Sequence, residues 1–462
     1  MIRILYSLLL IVLAPFLLGW MGLRARRAGG RWQVLGRERF GRYGAASTLL
    51  PGAIWVHAVS LGETRASTPL VQALLARGHP VLLTHLTASG RAEGARAFAS
   101  EIAQGRLQQA WLPYDFPGAT RRFLQHFKPV LGVLVEREVW PNLVHSARRQ
   151  RVPLVLASAR MSAASLRRTM RLHALLGPAY AGLARTYAQT LKDARRLEQA
   201  GATSVIVSGN FKFDLQQDAE QIRRGAAFGH ALGRRTVIIA STREGEDELF
   251  IRQIRQQLDR LRDQGLECDR PVLFILVPRH PQRFESASRL LQAHGLRFVR
   301  RTGLQALGEG CSSMLAACRD VDVILGDTLG EMAWYYASSQ VAIVGGSFAA
   351  LGGQNFIEAS ALGCPVLVGP HTAHFEQAVA DALLAGAIAR AADPAQAVRQ
   401  ALLWLDEPAE LNHMGQAARH WVGQHSGAVQ RVLDGIEDLL QNTRTPYAVP
   451  AQPGDLGQQG SV

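Results

Sequence analysis

Two periodicities alternate along most of this chain. Largely apolar runs of strand length lie at residues 54–59, 81–86, 130–135, 154–157 and 205–207, and apolar positions at helical spacing separate them, as at 69–76 and 91–99. Strands covered on both faces read as continuous apolar runs, because neither side meets water. The alternation therefore predicts a parallel sheet covered by helices over residues 51–214. The rhythm resumes at 237–240, 272–277, 321–325, 341–344 and 366–368, which predicts a second such domain over 236–440. The polar, helix-prone stretch 215–235 is expected to link the two. After residue 406 the pattern is helical through 440, and 441–462, rich in proline, glycine and glutamine, is expected to be a disordered tail.

The first 23 residues follow a different rule. No charged residue occurs between Ile4 and Leu23, whereas Arg24, Arg26, Arg27, Arg31, Arg37, Arg39 and Arg42 follow within a basic segment, 24–50, that carries one acid, Glu38. A run of that length can cross or embed in a bilayer. A secretory signal would put its basic residues first and a small-x-small cleavage site last, so 1–23 is expected to be a membrane anchor. Everything after it is expected to stay on the cytoplasmic side, with the arginines against anionic lipid head groups. Pro15 leaves open whether the anchor spans the bilayer or embeds in one leaflet.

Composition narrows the partners. The chain has 462 residues, 48% hydrophobic and 19% charged, with a formal net charge of +14. That suits two or three domains and excludes a disordered or polytopic membrane protein. The positive balance points to an anionic partner, whether nucleic acid, anionic lipid or phosphorylated substrate. Cys268, Cys311, Cys318 and Cys364 lie far apart with no C-x-x-C spacing, so reduced thiols are expected rather than a zinc site or a redox pair.

Candidate chemistry concentrates at strand ends, where parallel sheets build their sites. Between residues 321 and 370, three strand-to-helix junctions carry Gly326, Gly330, Gly345, Gly346, Gly352 and Gly353, with Glu331 and Glu358 just beyond. Such turns let backbone N–H groups face an anion and a carboxylate receive ribose hydroxyls, so this stretch is expected to form a nucleotide pocket. The plainer reading is that glycines only close the turns. After the 54–59 run, Gly62 and Glu63 open a helix, and Glu63 is either a general base or a capping acid. The helix dipole would lower its pKa, so the catalytic reading requires burial or a negative neighbour. Glu136 and Glu138 end the 130–135 run, Lys212 sits between Phe211 and Phe213, and Arg279 and His280 are held between Pro278 and Pro281. Lys212 and Arg279 could neutralise phosphate. The acidic loop 241–248 is expected to start a helix facing the same site. Asp320 and Asp322 resemble a D-x-D metal box but open a strand, where solvated acids are expected, and His371 and His374 lack a third ligand, so no metal site is expected. The arginines are scattered without interleaved aromatics, which argues against nucleic acid.

Taken in order, WVHAVSLGE (55–63), LPYDFPGA (112–119), EREVWPNL (136–143), SARMSAAS (158–165), GNFKFD (209–214), STREGED (241–247), PRHPQRF (278–284), GDTLGEM (326–332) and GGSFAALGGQNFIE (345–358) resemble the 3-deoxy-D-manno-oct-2-ulosonic acid (Kdo) transferases of Gram-negative bacteria. The resemblance runs from the anchor to about residue 440. It implies a GT-B glycosyltransferase, two Rossmann-like α/β domains facing a cleft plus the N-terminal anchor helix, that moves Kdo from CMP-Kdo to the lipid A precursor at the inner membrane. It implies inversion at the anomeric carbon and no cofactor or metal. Carried residue by residue, it makes Glu63 the general base and Glu136 and Lys212 its partners in the transition state. It places CMP against Pro278 and Arg279, Leu329, Gly330 and Glu331, and Asn355, Phe356, Ile357 and Glu358. The family usually has histidine where Gln354 stands, proline at Phe356, threonine at Arg137 and asparagine at Ser158. A nucleotide-sugar 2-epimerase of the same fold and a non-catalytic, membrane-tethered nucleotide- or carbohydrate-binding protein are the rival readings.

Overall fold

A computed structural model describes residues 2–28, 32–44, 52–214, 217–263, 272–308 and 312–444. The chain divides into two compact units, Met1–Asp214 with Gly427–Val462, and Leu215–Ser426.

The first unit is built on a seven-stranded parallel sheet of β1 (Ile54–His57), β2 (Val81–His85), β3 (Leu107–Trp111), β4 (Leu131–Val135), β5 (Leu154–Ala159), β6 (Arg185–Ala188) and β7 (Val205–Val207), in the order β3-β2-β1-β4-β5-β6-β7. The direction of winding reverses between β1 and β4. Their following loops therefore lie side by side, where an open parallel sheet leaves a crevice. Ile54, Val56, Val81, Leu83, Val133 and Val135 pack one face of this sheet. Trp55, Leu82, Leu134 and Leu156 pack the other with Phe123 and Leu143.

The second unit repeats the plan. Strands β8 (Thr236–Thr242), β9 (Leu273–Pro278), β10 (Phe298–Arg300), β11 (Val323–Leu325), β12 (Val341–Val344), β13 (Val366–Val368) and β14 (Ile388–Arg390) form a parallel sheet in the order β10-β11-β9-β8-β12-β13-β14. Here the reversal falls between β8 and β12. Val237, Ile239, Leu276, Val341 and Ile343 pack with Phe250 and Ile254 in its core.

Several expectations need correcting. The stretch 215–235, expected as a helix-prone link, does hold a helix, Ala219–Leu232, which Asp218 caps by accepting from the N–H groups of Glu220 and Gln221. That helix belongs to the second unit, where Phe228 packs on Trp334 with ring centroids 5.0 Å apart. Nor does the second unit run to residue 440. The helix Ala428–Arg444 lays Ala428, Val432, Leu433 and Ile436 into the core of the first unit, and the Asp214 carboxylate accepts from Gly427 and Val429 N–H at its start. Residues 441–444 continue this helix, and the rest of the expected tail lies outside the described residues. The helix expected to open at Gly62 and Glu63 and the apolar pattern at 69–76 are one helix, Leu61–Ala76, started by a reciprocal capping box of Ser60 and Glu63 and carrying Pro69 inside.

Among the basic residues, Arg31 lies outside the described residues. Arg39 does not face lipid. It is 1% exposed, donates to the carbonyls of Trp32, Leu86, His85 and Leu112, and stacks over Trp111 at 4.2 Å. Asp322 is likewise not solvated, because it is buried against Arg297, which donates to it from the backbone at 2.9 Å and from the guanidinium at 3.1 Å. Cys318 and Cys364 are buried free thiols; Cys268 and Cys311 lie outside the described residues.

Candidate active site

In the first unit the site forms where β1, β4 and β5 end. Glu63 is the third residue of its helix, and its Oε2 accepts from Val59 N–H at 2.6 Å and Ser60 N–H at 3.0 Å. Those bonds favour the ionised form. Burial and the charge of Glu136, followed by that of Glu138, act more strongly, and together they push the Glu63 carboxyl from the usual 4.5 up to about 7. The desolvation and the negative neighbour that the catalytic reading requires are both present. Oε1 accepts no hydrogen bond from the described residues.

Glu136 is held in an unusual backbone conformation, φ 63°, as the chain leaves β4, with its N–H donating to Ala157 O at 3.0 Å. Its carboxylate faces the Arg160 guanidinium at 3.6 Å. Ser158, in β5, has φ 49° at a bulge between β5 and β6. Non-glycine residues in the left-handed region persist where the surroundings hold them and cluster at functional sites. Here the holding group is Gln189, whose amide donates to Ser158 O at 2.9 Å and receives Asn210 Nδ2 at 3.1 Å. Asn210 in turn accepts from Lys212 N–H at 3.0 Å, and so places that side chain. Burial lowers the Lys212 pKa, while the charges of Glu136 and Glu63 raise it and Arg160 lowers it. Glu63, Glu136 and Lys212 thus share one electrostatic neighbourhood. Arg160 and Gln189 join them, though sequence reasoning gave neither a role. Arg160 stands just past the end of a predicted strand, the one signal that could have drawn notice, and Gln189 follows β6, a strand the hydrophobic pattern did not reveal.

The second unit treats its expected residues unequally. Arg279 follows Pro278 at the end of β9, with its N–H on Thr242 O at 3.0 Å and its Nε donating to Gln354 Oε1 at 3.2 Å. The glutamine at 354 therefore supplies an acceptor that orients the guanidinium. His280, Arg243 and Arg283 lie close by, and burial together with the Arg243 and Arg279 charges lowers the His280 pKa. Asn355 Nδ2 donates to Glu358 Oε1 at 2.8 Å, and the buried Tyr336 phenol lies within electrostatic reach of both Glu358 and Arg279. Leu329 is exposed, and Gly330 turns at φ 81°.

The side chains of three residues expected at the donor site have partners within the protein. Glu331 receives Arg301 Nη2 at 3.0 Å and Gln305 at 2.9 Å on Oε1, and Arg301 Nε at 3.3 Å and Thr328 at 2.5 Å on Oε2. Arg301 itself is fully buried, 3.8 Å from the Trp334 ring centroid. Two donors from the protein thus sit on each oxygen of Glu331. Phe356 is buried and stacked on Trp421 at 5.6 Å, and Ile357 is buried too, so both can offer a ligand only their backbone.

The glycine turn after β12 also differs from its expected use. The buried Glu246 carboxylate accepts from Gly346 at 2.6 Å, Phe348 at 2.9 Å, Ala349 at 3.1 Å and Arg243 at 2.8 Å, all backbone N–H groups. The turn does bind an anion, and the anion is the protein's own. Only glycine fits at 345, where a Cβ would stand 2.8 Å from the Thr242 Cα. Asp247, beside it, accepts from Thr242 and Arg283. The acidic loop 241–248 is therefore a brace for the glycine turn.

Residues 36–215 match the family described as 3-deoxy-D-manno-octulosonic-acid transferase (kdotransferase). The 3-deoxy-D-manno-octulosonic acid transferase of Bordetella pertussis is 54% identical over 436 residues, 94% of this chain and 99% of that protein. The Haemophilus influenzae protein of the same name is 30% identical over 447 residues, 95% and 99% of the two chains. Among solved structures, UDP-GlcNAc 2-epimerase from Neisseria meningitidis bound to UDP-GlcNAc superposes with a TM-score of 0.53, covering 84% of this chain and 100% of that one at 15% identity. At that identity the likeness is one of fold.

Proposed function

This chain belongs to the Kdo transferase family, and on that footing we propose that it transfers Kdo from CMP-Kdo to the lipid A precursor (lipid IVA) in lipopolysaccharide core biosynthesis, with inversion and without a metal. The enzyme class, a glycosyltransferase, comes with the family. The acceptor and the mechanism are the proposal. The observation that carries it is the state of Glu63: half-buried, titrating near neutrality, with one oxygen pinned by backbone donors and the other free of them.

Glu63 takes the proton of the acceptor hydroxyl as its oxygen attacks the anomeric carbon of Kdo. The bond to the CMP phosphate breaks on the opposite face, and the electron pair leaves with the phosphate. A base poised near the working pH suits this step. Lys212 and Arg160 balance the charge of Glu136, and of Glu63 until it takes the proton and becomes neutral. In the second unit Arg279, oriented through Gln354, holds the donor phosphate in this reading, with Gly330, Asn355 and Glu358 as further contacts to CMP. The location proposed is the cytoplasmic face of the inner membrane, where the anchor holds the enzyme beside anionic lipids and a lipid acceptor.

The test incubates full-length enzyme with CMP-Kdo, generated in place, and a tetraacylated lipid A precursor, and follows the lipid by mass spectrometry beside Glu63→Gln. Mass increments of Kdo in the wild type and none in the variant support the reading. Donor binding without any lipid product refutes it.

A further inference from the structure

The structure assigns the apolar N-terminal helix to one leaflet of the membrane, lying in its plane against the first unit, rather than to a span across the bilayer. The helix Ile2–Ala28 is unbroken at Pro15 and contains a 22-residue stretch, Ile2–Leu23, of mean hydropathy 2.3. Length and hydropathy suit either placement. What decides is which face is covered, and how far along.

Ser7, Leu10, Ala14, Leu18, Met21 and Ala25 are sheltered, and they recur every three or four residues, which is one face of a helix. At the N-terminal end the docking is polar. Arg3 Nη1 and Ser7 Oγ donate to Asn142 Oδ1 at 3.0 and 3.2 Å, and Tyr6 OH donates to Asp115 Oδ2 at 3.1 Å. Further along it is apolar: Leu10, Leu18 and Met21 wall a crevice of about 350 Å³ whose other side is Phe116, Trp140 and Leu176. Contact with the first unit therefore runs from residue 3 to residue 21, roughly 27 Å at about 1.5 Å per residue.

A helix that crosses the bilayer is surrounded by hydrocarbon over about 30 Å. This one could cross only by drawing in the surface it is docked on. That surface includes the helix Pro141–Arg149, which carries Arg148 and Arg149 with His145, and the exposed Arg137 beside it. Charges at that depth are costly. Lying in the plane removes the conflict. Leu5, Leu8, Val12, Phe16, Trp20 and Leu23 point away from the first unit and are exposed, and they enter the acyl region of one leaflet. Arg26, Arg37 and Arg42, also exposed, meet anionic head groups at the same level. A helix apolar on all sides fits a place with protein on one side and lipid on the other. The arrangement also has a use: Trp140, Pro141 and Asn142 follow Glu136 by only a few residues, the first two line the crevice beside the helix and Asn142 is hydrogen-bonded to it, so the reacting end of the first unit is held at head-group height.

The test uses the full chain in two arms. An N-terminal epitope tag is exposed to protease in intact spheroplasts and in inside-out vesicles. Loss of the tag in inside-out vesicles alone is expected, since both ends of the helix share the cytoplasmic side, and loss in intact spheroplasts overturns the assignment. In the second arm Leu5→Cys, Val12→Cys and Trp20→Cys proteins, each altered on the exposed face, are labelled with a fluorophore in vesicles containing lipids quenched near the head group or near the chain end. All three are expected to respond alike to the shallow quencher. A graded pattern, with position 12 answering the deep quencher and positions 5 and 20 the shallow one, is that of a spanning helix and overturns the proposal. Neither arm depends on the sugar transfer reaction.

Discussion

Replacing Glu63 by glutamine should abolish transfer and, above neutral pH, make the first unit more stable. The carboxyl is pushed from the usual 4.5 to about 7 by burial and by Glu136. The sign follows from linkage. Below about pH 4.5 the folded and unfolded chains both hold the proton and no penalty exists. Between about 4.5 and 7 the unfolded chain gives it up while the folded one keeps it, so stability falls as pH rises. Above about 7 the folded chain carries the buried charge at full cost, which for a rise of this size is about 3 kcal/mol. The attraction of Lys212 is already contained in that rise, and the weaker hydrogen bonds of a neutral amide to the two N–H groups take back part of the gain. Glutamine keeps an acceptor for Val59 and Ser60 N–H but carries no charge, so about 2 kcal/mol should return at pH 8, or roughly 4–8 °C in the melting of a unit of this size.

The assay is thermal unfolding of wild type and Glu63→Gln in matched detergent and scan rate, at pH 5 and pH 8, beside transfer rates on the lipid acceptor. The variant should melt higher at pH 8, gain little at pH 5, and lose about 10²- to 10⁴-fold in rate, the usual worth of a general base. A gain of equal size at both pH values would show that burial of charge is not the cause. A variant within tenfold of wild-type activity would remove Glu63 from the chemistry.

Three further perturbations separate the parts of the site. Glu136→Gln removes the like charge beside Glu63, so the acidic limb of the kcat/KM profile should move to lower pH; an unmoved limb would mean that Glu136 does not set the titration. Arg279→Lys keeps the charge but loses the planar fork that Gln354 orients, and calorimetric titration with CMP should show roughly tenfold weaker binding; unchanged affinity would free Arg279 of phosphate contact. Glu246→Ala strips the acceptor from four backbone N–H groups and should cost the second unit about 3–5 kcal/mol, with faster hydrogen exchange at 345–349 and loss of CMP binding; an intact exchange pattern would refute its role as a brace.

What could be read from sequence followed burial. Strands covered on both faces, such as β1, β2, β4 and β12, are apolar runs broken only by the buried His57, Thr84 and His85, and were found as such. Strand β3 reads Leu-Gln-Gln-Ala-Trp, and the three-residue β10 and β14 also close sheet edges, where one side of the strand needs no partner and the apolar signal fades. Arg39 shows the opposite failure: a charge in a basic run gives no sign that four carbonyls and an indole will bury it. The return of the helix Ala428–Arg444 to the first unit was hidden for a third reason. Its apolar stripe announces that something will cover it, but periodicity does not say which sheet.

Strand order is what the sequence withholds, and strand order makes the site. Glu63, Glu246 and Glu331 each stand at the start of a helix after a strand, and by position they are equivalent. Because the winding reverses between β8 and β12, the turn after β12 arrives beside Glu246, and its N–H groups fill that carboxylate. Glu331 meets Arg301, Gln305 and Thr328 and is filled as well. The reversal between β1 and β4 instead brings another acid, Glu136, to Glu63. A carboxylate given four donors becomes a fixed anion that shapes its loop. One given two donors on a single oxygen, a buried place and a negative neighbour keeps an oxygen that can take a proton near pH 7. Counting donors on each oxygen therefore separates the proposed base from the braces, and it does so without reference to any relative.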